Sequence, residues 1–221
     1  PFPPAPPLGP PPPSITYYSD QADFAIVTIT NYTGTDNEVR GTLALQVRDG
    51  ALHIYGVLTG LPLDTVGGWH IHTGFECSAD NSITGGHYYD TASGAADPWI
   101  PVKYRSNLQG VAVISQSIAG FTLDAFMPVM GRALVIHDAD MTVGTPRIGC
   151  GLIMPSKGRV ALIGAYPEHG GYIGDSTIIG LLVVRDTRTG IQIDGTLAGL
   201  PADMSGGWHI HSGFTCDAHE G

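Results

Sequence analysis

Gly67–Cys77 reads "GGWHIHTGFEC", and Gly206–Cys216 reads "GGWHIHSGFTC". The two stretches lie 139 residues apart, and the likeness runs upstream without a gap. "GTLALQVRDGALHIYGVLTGLPLDTVGGWHIH" from Gly41 sits over "GLLVVRDTRTGIQIDGTLAGLPADMSGGWHIH" from Gly180. A repeat of this length is a domain, not a solenoid or propeller unit. The 221 residues therefore divide into a complete repeat and the opening part of a second, with residues 17–155 and 156–221 as the expected bounds. "IMPSKG", Ile153 to Gly158, reads as the junction.

The local pattern is β. "FAIVTITNY", "GTLALQV", "ALHIYGVLTG", "GVAVISQS" and "RALVIH" are short β-branched runs separated by Gly, Asp and Asn. Asp49-Gly50 between two of them is a hairpin signal, because a two-residue turn needs positive φ. No amphipathic helix stands out. The expected fold is all-β, a Greek-key antiparallel barrel or sandwich. Residues 1–16, which open "PFPPAPPLGPPPPS", form a proline-rich arm expected to be extended polyproline II.

Composition narrows the partners. Ten Lys and Arg against twenty Asp and Glu give a net charge of −10, and no basic cluster offsets it, which argues against a nucleic-acid phosphate partner. No apolar run is long enough to span a bilayer, and no signal peptide is visible, although a mature secreted chain reads the same way. Asn31-Tyr32-Thr33 is an N-glycosylation sequon, meaningful in a secreted protein.

Three cysteines fit the repeat. Cys77 and Cys216 are equivalent, while the counterpart of Cys150 would be residue 289. The simplest reading is a Cys77–Cys150 disulfide with Cys216 lacking its mate, which favours an oxidising, extracellular setting. Three buried thiols are the alternative.

In a strand, residues two apart share a face, so His70 and His72 project together. This is a metal-ligand geometry, or else a hydrogen-bonded surface pair. "TGGHYYD" adds His87, "GRALVIHDAD" adds His137, and "TPRIGCGLI" adds Arg147 before Cys150. The order of these motifs from about Asp23 to Ile153 resembles the Cu/Zn superoxide dismutase family, and the second unit resembles its first part only. The resemblance implies copper ligands at His70, His72 and His137. It implies a bridging histidine at His87, an arginine that guides superoxide at Arg147, and the Cys77–Cys150 disulfide.

The departures matter equally. "YYDTASGAADPWIPVKYRSNLQG" after His87 contains no histidine, and Tyr104 and Asn107 fall roughly where a zinc histidine and aspartate would be. The interval from His137 to Arg147 is short. Absence of a zinc site and of a steering loop resembles the copper-only dismutases and their extracellular tandem-repeat proteins. Neutral imidazoles suit copper and zinc alike, but a redox role requires copper. Without zinc, His87 needs an acidic partner, with Asp90, Asp138 and Asp140 as candidates. His53, His169 and His219 are expected on the surface.

The resemblance thus leads to an expectation of a secreted copper protein that disproportionates superoxide. The competing reading is a fibre or matrix subunit built from such β domains, and a third is copper storage without turnover. His209 and His211 form a partial second site, because the counterparts of His87 and His137 would be residues 226 and 276. Further repeats in a longer chain, or strands from a neighbouring copy, would complete it.

Overall fold

The computed structural model describes residues 24–139, 146–166, 177–212 and Cys216. The proline-rich arm, Asp140, His169 and His219 lie outside the described residues.

The fold is all-β. Eight antiparallel strands form a nearly closed barrel: β1 (Phe24–Asn31), β2 (Arg40–Arg48), β3 (Ala51–Thr59), β4 (Val66–Ile71), β5 (Lys103–Arg105), β6 (Ala112–Ala119), β7 (Ala133–Ala139) and β8 (Arg147–Leu152). Their order across the sheet is β5-β4-β7-β8-β1-β2-β3-β6. The chain leaves β3 for β4 across the barrel end and returns through β5 and β6, a Greek-key crossing. The two free edges meet at β5 and β6, where Gln116 Nε2 donates to the Lys103 carbonyl at 3.0 Å. A further strand, β9 (Met154–Ser156), pairs with β1 and so belongs to the barrel sheet, within the stretch read as a junction.

The alternation of side chains explains the elements. Leu43, Leu45, Ile54, Leu58, Leu134 and Ile136 point inward and are almost wholly buried. Asp49 and Gly50, at φ 48° and 74°, make the tight turn between β2 and β3, with Arg48 paired to Ala51. In β4, Trp69 and Ile71 face the core, so His70 and His72 face outward. Trp69 meets Trp99 edge-on at 6.3 Å between ring centres, and Trp99 meets Phe121 at 5.0 Å.

The second unit contributes β10 (Arg159–Ile163), β11 (Ile179–Asp186) and β12 (Ile191–Ala198) as a separate three-stranded sheet. β11 and β12 reproduce the register of β2 and β3: Gly41 faces Leu58, and Gly180 faces Leu197. A Cβ on Gly56 would lie 2.1 Å from the Thr42 carbonyl oxygen, and one on Gly195 would lie 2.1 Å from that of Leu181, the equivalent residue. The sheet packs by its outer face. Leu181 and Val183 are fully buried against Ile26 and Ala44 on the outside of the barrel, and the Thr42 and Thr196 hydroxyls lie 2.9 Å apart.

That seam is testable. Val183→Asp places an unpaired carboxylate in it, a cost of several kcal/mol. Limited proteolysis within Ile179–Ala198 should accelerate by roughly tenfold or more, while amide exchange in β1–β8 stays unchanged.

Candidate metal centre

His70, His72, His87 and His137 converge, with one ring nitrogen from each lying within 4.8 Å of the others. Among the described residues this is the single group of three or more His, Cys, Asp or Glu so placed. β4 carries His70 and ends just before His72, and β7 carries His137 beside them. The β7 ladder shifts register at Ile136/His137 against β8 and between Gly67 and Trp69 against β4, the local irregularity that re-aims a side chain near a site. His87 comes from the long connection between β4 and β5, which folds back over the outer face and pairs with His72.

This connection is held by specific contacts. The Cys77–Cys150 disulfide ties it to β8, with the Cα atoms 5.9 Å apart. The Thr73 and Gly74 amides donate to the Gly86 and Thr84 carbonyls. The short helix α1 (Asn81–Thr84) is capped by Asp80. Buried Thr84 donates to the Glu76 carbonyl and accepts from Tyr32 Oη. Tyr32, Ala133, Val135 and Cys150 pack beneath as a small apolar cluster.

Hydrogen bonds fix which nitrogen each imidazole presents. His72 Nδ1 lies 2.8 Å from the Gly85 carbonyl and must carry the proton, which leaves Nε2 as a lone pair. That Nε2 lies 3.3 Å from His137 Nε2. His87 Nδ1 lies 2.6 Å from Asp97 Oδ2, so a neutral His87 also presents Nε2. Asp97 is held in turn, since its Oδ1 accepts from the Trp99 amide at 2.9 Å while Trp99 Nε1 donates to the Tyr88 carbonyl. Burial of the Trp99 indole therefore positions the carboxylate. Asp97 is the acidic partner of His87. Asp90, one of the sequence candidates, instead accepts from the Ala92 and Ser93 amides, and Asp138 accepts from its neighbour Ala139. Asp97 was missed because it sits ten residues beyond His87 in a connection without periodicity.

Burial lowers the pKa of His70 far below the usual imidazole range, aided by the neighbouring histidines. Burial also lowers that of His72 to about 3, against the opposing hydrogen bond to Gly85. Both nitrogens of His70 are buried without a hydrogen-bond partner, each a cost of about 1–3 kcal/mol. A cation in the cluster removes that penalty at one nitrogen. Imidazole–metal bonds of about 2.0–2.1 Å require only a small contraction of the cluster. An all-imidazole donor set suits copper or zinc. The residues fit a metal.

Arg147 sits at the rim. Its guanidinium donates to the Gly85 carbonyl at 2.6 Å and to Tyr32 Oη at 2.9 Å. Tyr104 and Asn107 have other tasks. Buried Tyr104 donates to the His137 carbonyl at 2.8 Å, with burial and then Asp138 raising its pKa so that it remains a donor. The Asn107 side chain accepts from the Gln109 and Val111 amides. His53 is partly exposed, 2.7 Å from Ser117. Asn31 is half-buried at the end of β1 beside Arg40.

The second histidine pair is different. His209 and His211 keep the spacing of the first pair, 6.4 Å against 6.3 Å between ring centres, but both are exposed. No other described histidine joins them. Cys216 is an exposed free thiol.

No protein-family model matches the chain, and no curated protein does. Solved structures with a similar fold include the crystal structure of the clock protein EA4, 21% identical, with a TM-score of 0.50. The match covers 61% of this chain and 96% of that chain. At that identity the likeness concerns the fold alone.

Two outcomes follow. Because the metal-free centre holds His70 and His72 neutral, the unfolded chain binds more protons than the native one below about pH 6.5. Stability of the metal-free protein should fall as pH drops from 6.5 towards 3, by up to about 1.4 kcal/mol per pH unit for each such histidine. His72→Gln should flatten the slope in urea titrations. Asp97→Asn should weaken metal binding about 10–100-fold with the fold retained, as read by competitive chelator titration.

Proposed function

We propose that the protein is a copper-dependent superoxide dismutase-like repeat protein that works outside the cell. The observation that carries this reading is the convergence of four histidines whose free nitrogens are selected by Gly85 and Asp97, with Arg147 donating to the same Gly85 carbonyl. His70, His72 and His137 would hold the metal, with His87 at its fourth side. Bound copper supplies a one-electron couple, so that one superoxide gives up an electron to form O2 and a second gains one, with two protons, to form H2O2.

The chain's own residues supply charge and protons. Arg147 places a fixed positive charge on a partly buried rim, where it attracts and orients an anion. His87 can take a proton at Nε2, because the imidazolium so formed is ion-paired through Nδ1 with Asp97. That proton can then pass to the reduced oxygen species. No second metal is needed to position His87, since the carboxylate does so. The disulfide supports an oxidising compartment.

A structural role is the second reading, and the seam between the units favours it. Leu181, Val183, Ile26 and Ala44 bury a repeat-to-repeat contact of the kind an array would use.

The deciding measurement is elemental analysis of native protein paired with superoxide consumption on the same sample. We expect about one copper per chain at the first centre, and His137→Ala should remove copper and activity together. Full activity with stoichiometric copper in that variant would overturn the assignment. Copper without turnover would favour storage, and no copper after reconstitution would favour the structural role.

A further inference from the structure

Asn31-Tyr32-Thr33, read from the sequence as a glycosylation sequon, is tied to other parts of the barrel by all three side chains. Asn31 Oδ1 accepts from Arg40 Nη1, and Thr33 Oγ1 donates to the Cys77 carbonyl at 2.7 Å. Tyr32 between them is 4% exposed. Its amide donates to the Ile148 carbonyl at 3.0 Å, and its carbonyl accepts from the Thr35 amide and hydroxyl. Tyr32 is thus anchored to β8 one residue from Arg147.

The phenol oxygen sits in a directed chain of hydrogen bonds. Thr84 Oγ1 donates to the Glu76 carbonyl at 3.0 Å, which leaves its lone pairs to accept. Tyr32 Oη donates to it at 3.1 Å, with Asn81 Oδ1 as a second acceptor at 3.3 Å. With its proton so committed, the phenol presents a lone pair, and Arg147 Nη1 donates to it at 2.9 Å. Every bond runs the same way, from the guanidinium to a backbone carbonyl, so that each polarises the next. The Tyr32 ring centre also lies 5.7 Å from the guanidinium carbon, within cation–π range.

A planar guanidinium bound at one nitrogen can swing about that bond. Arg147 is bound at both terminal nitrogens: Nη2 at the Gly85 carbonyl, 2.6 Å away, and Nη1 at Tyr32, with a longer contact of 3.5 Å to the Asn81 carbonyl. Two fixed points set the plane of the fork. We propose that Tyr32 is a positioning residue for Arg147: its phenol oxygen fixes the guanidinium plane and leaves the remaining N–H groups to a small anion at the rim of the metal centre. The identity of that anion as superoxide rests on the functional reading above; the hold on the guanidinium does not. Phenylalanine at this position keeps the ring among Ala133, Val135 and Cys150 and removes only the oxygen, so that one substitution separates packing from positioning.

The test uses the full chain, metal-free and copper-loaded. In the metal-free protein the two Nη groups of Arg147 should give separate nitrogen-15 signals, as a guanidinium held at both does. Tyr32→Phe should merge them while the backbone amide spectrum is otherwise retained. Merged signals in the parent chain, or separate ones in the variant, overturn the proposal. In the copper-loaded protein Tyr32→Phe should slow superoxide consumption roughly fivefold at unchanged copper content. In an Arg147→Lys background, where the fork is absent, the same change should cost less than about twofold. Equal factors in the two backgrounds overturn positioning through Arg147. If the parent chain consumes no superoxide, or Arg147→Ala changes nothing, the functional reading fails, and the nitrogen-15 signals still decide the hold.

Discussion

The carbonyl of Gly85 accepts two donors, His72 Nδ1 at 2.8 Å and Arg147 Nη2 at 2.6 Å, and the centre is organised around it. One bond turns the His72 lone pair towards the other histidines, and the other holds the guanidinium beside them. A carbonyl has two lone pairs, so both can be satisfied at once. Its position depends on the connection that carries it, hence on the Cys77–Cys150 bond, the Thr84 hydroxyl and the paired backbone of Thr73 and Gly74. Loss of any of these moves the His72 imidazole and the rim charge together.

A β-barrel has two faces, and this one uses both. Along β4, Trp69 and Ile71 are consumed by the core, while His70 and His72 are left on the outside, where an isolated imidazole pair would be hydrated. The folded-back connection converts that exterior into an interior. It desolvates the imidazoles, lowers their proton affinity and leaves both nitrogens of His70 without partners. Burying His70 in that way is costly in the metal-free chain and is relieved by a cation. The same desolvation would couple fold stability to the affinity for an ion held there.

Much of this was legible in the residues. Short β-branched runs broken by Gly, Asp and Asn located β1, β2, β3, β6 and β7, Asp49-Gly50 located a hairpin, and the His-x-His spacing located a pair on one face. These signals are local, set by the two-residue period and by backbone geometry. What was not legible depends on tertiary contact. Asp97 reaches His87 because Trp99 is buried ten residues or more from any ligand, and no spacing rule marks it. β5 is three residues long and carries Tyr104, whose phenol donates to the His137 carbonyl, a contact between residues 33 apart that no local pattern marks. The outer face of β11 reads simply as an alternating strand, and only packing shows that Leu181 and Val183 meet the first barrel.

The duplicated motif separates sequence from site most sharply. "GGWHIH" occurs twice with the same ring spacing, once buried among β5, β7 and the folded-back connection, once in water. The difference lies wholly in the neighbours. At the first copy β7 brings a third imidazole, the folded-back connection brings the carbonyl that selects the tautomer, and Trp99 packs on the tryptophan; among the described residues nothing of this kind stands beside His209 and His211. Among the described residues nothing buries His209 and His211 or brings a third imidazole to them, so the desolvation and convergence of the first set have no counterpart there. The motif supplies donors; the surrounding strands bring them within reach of a single ion.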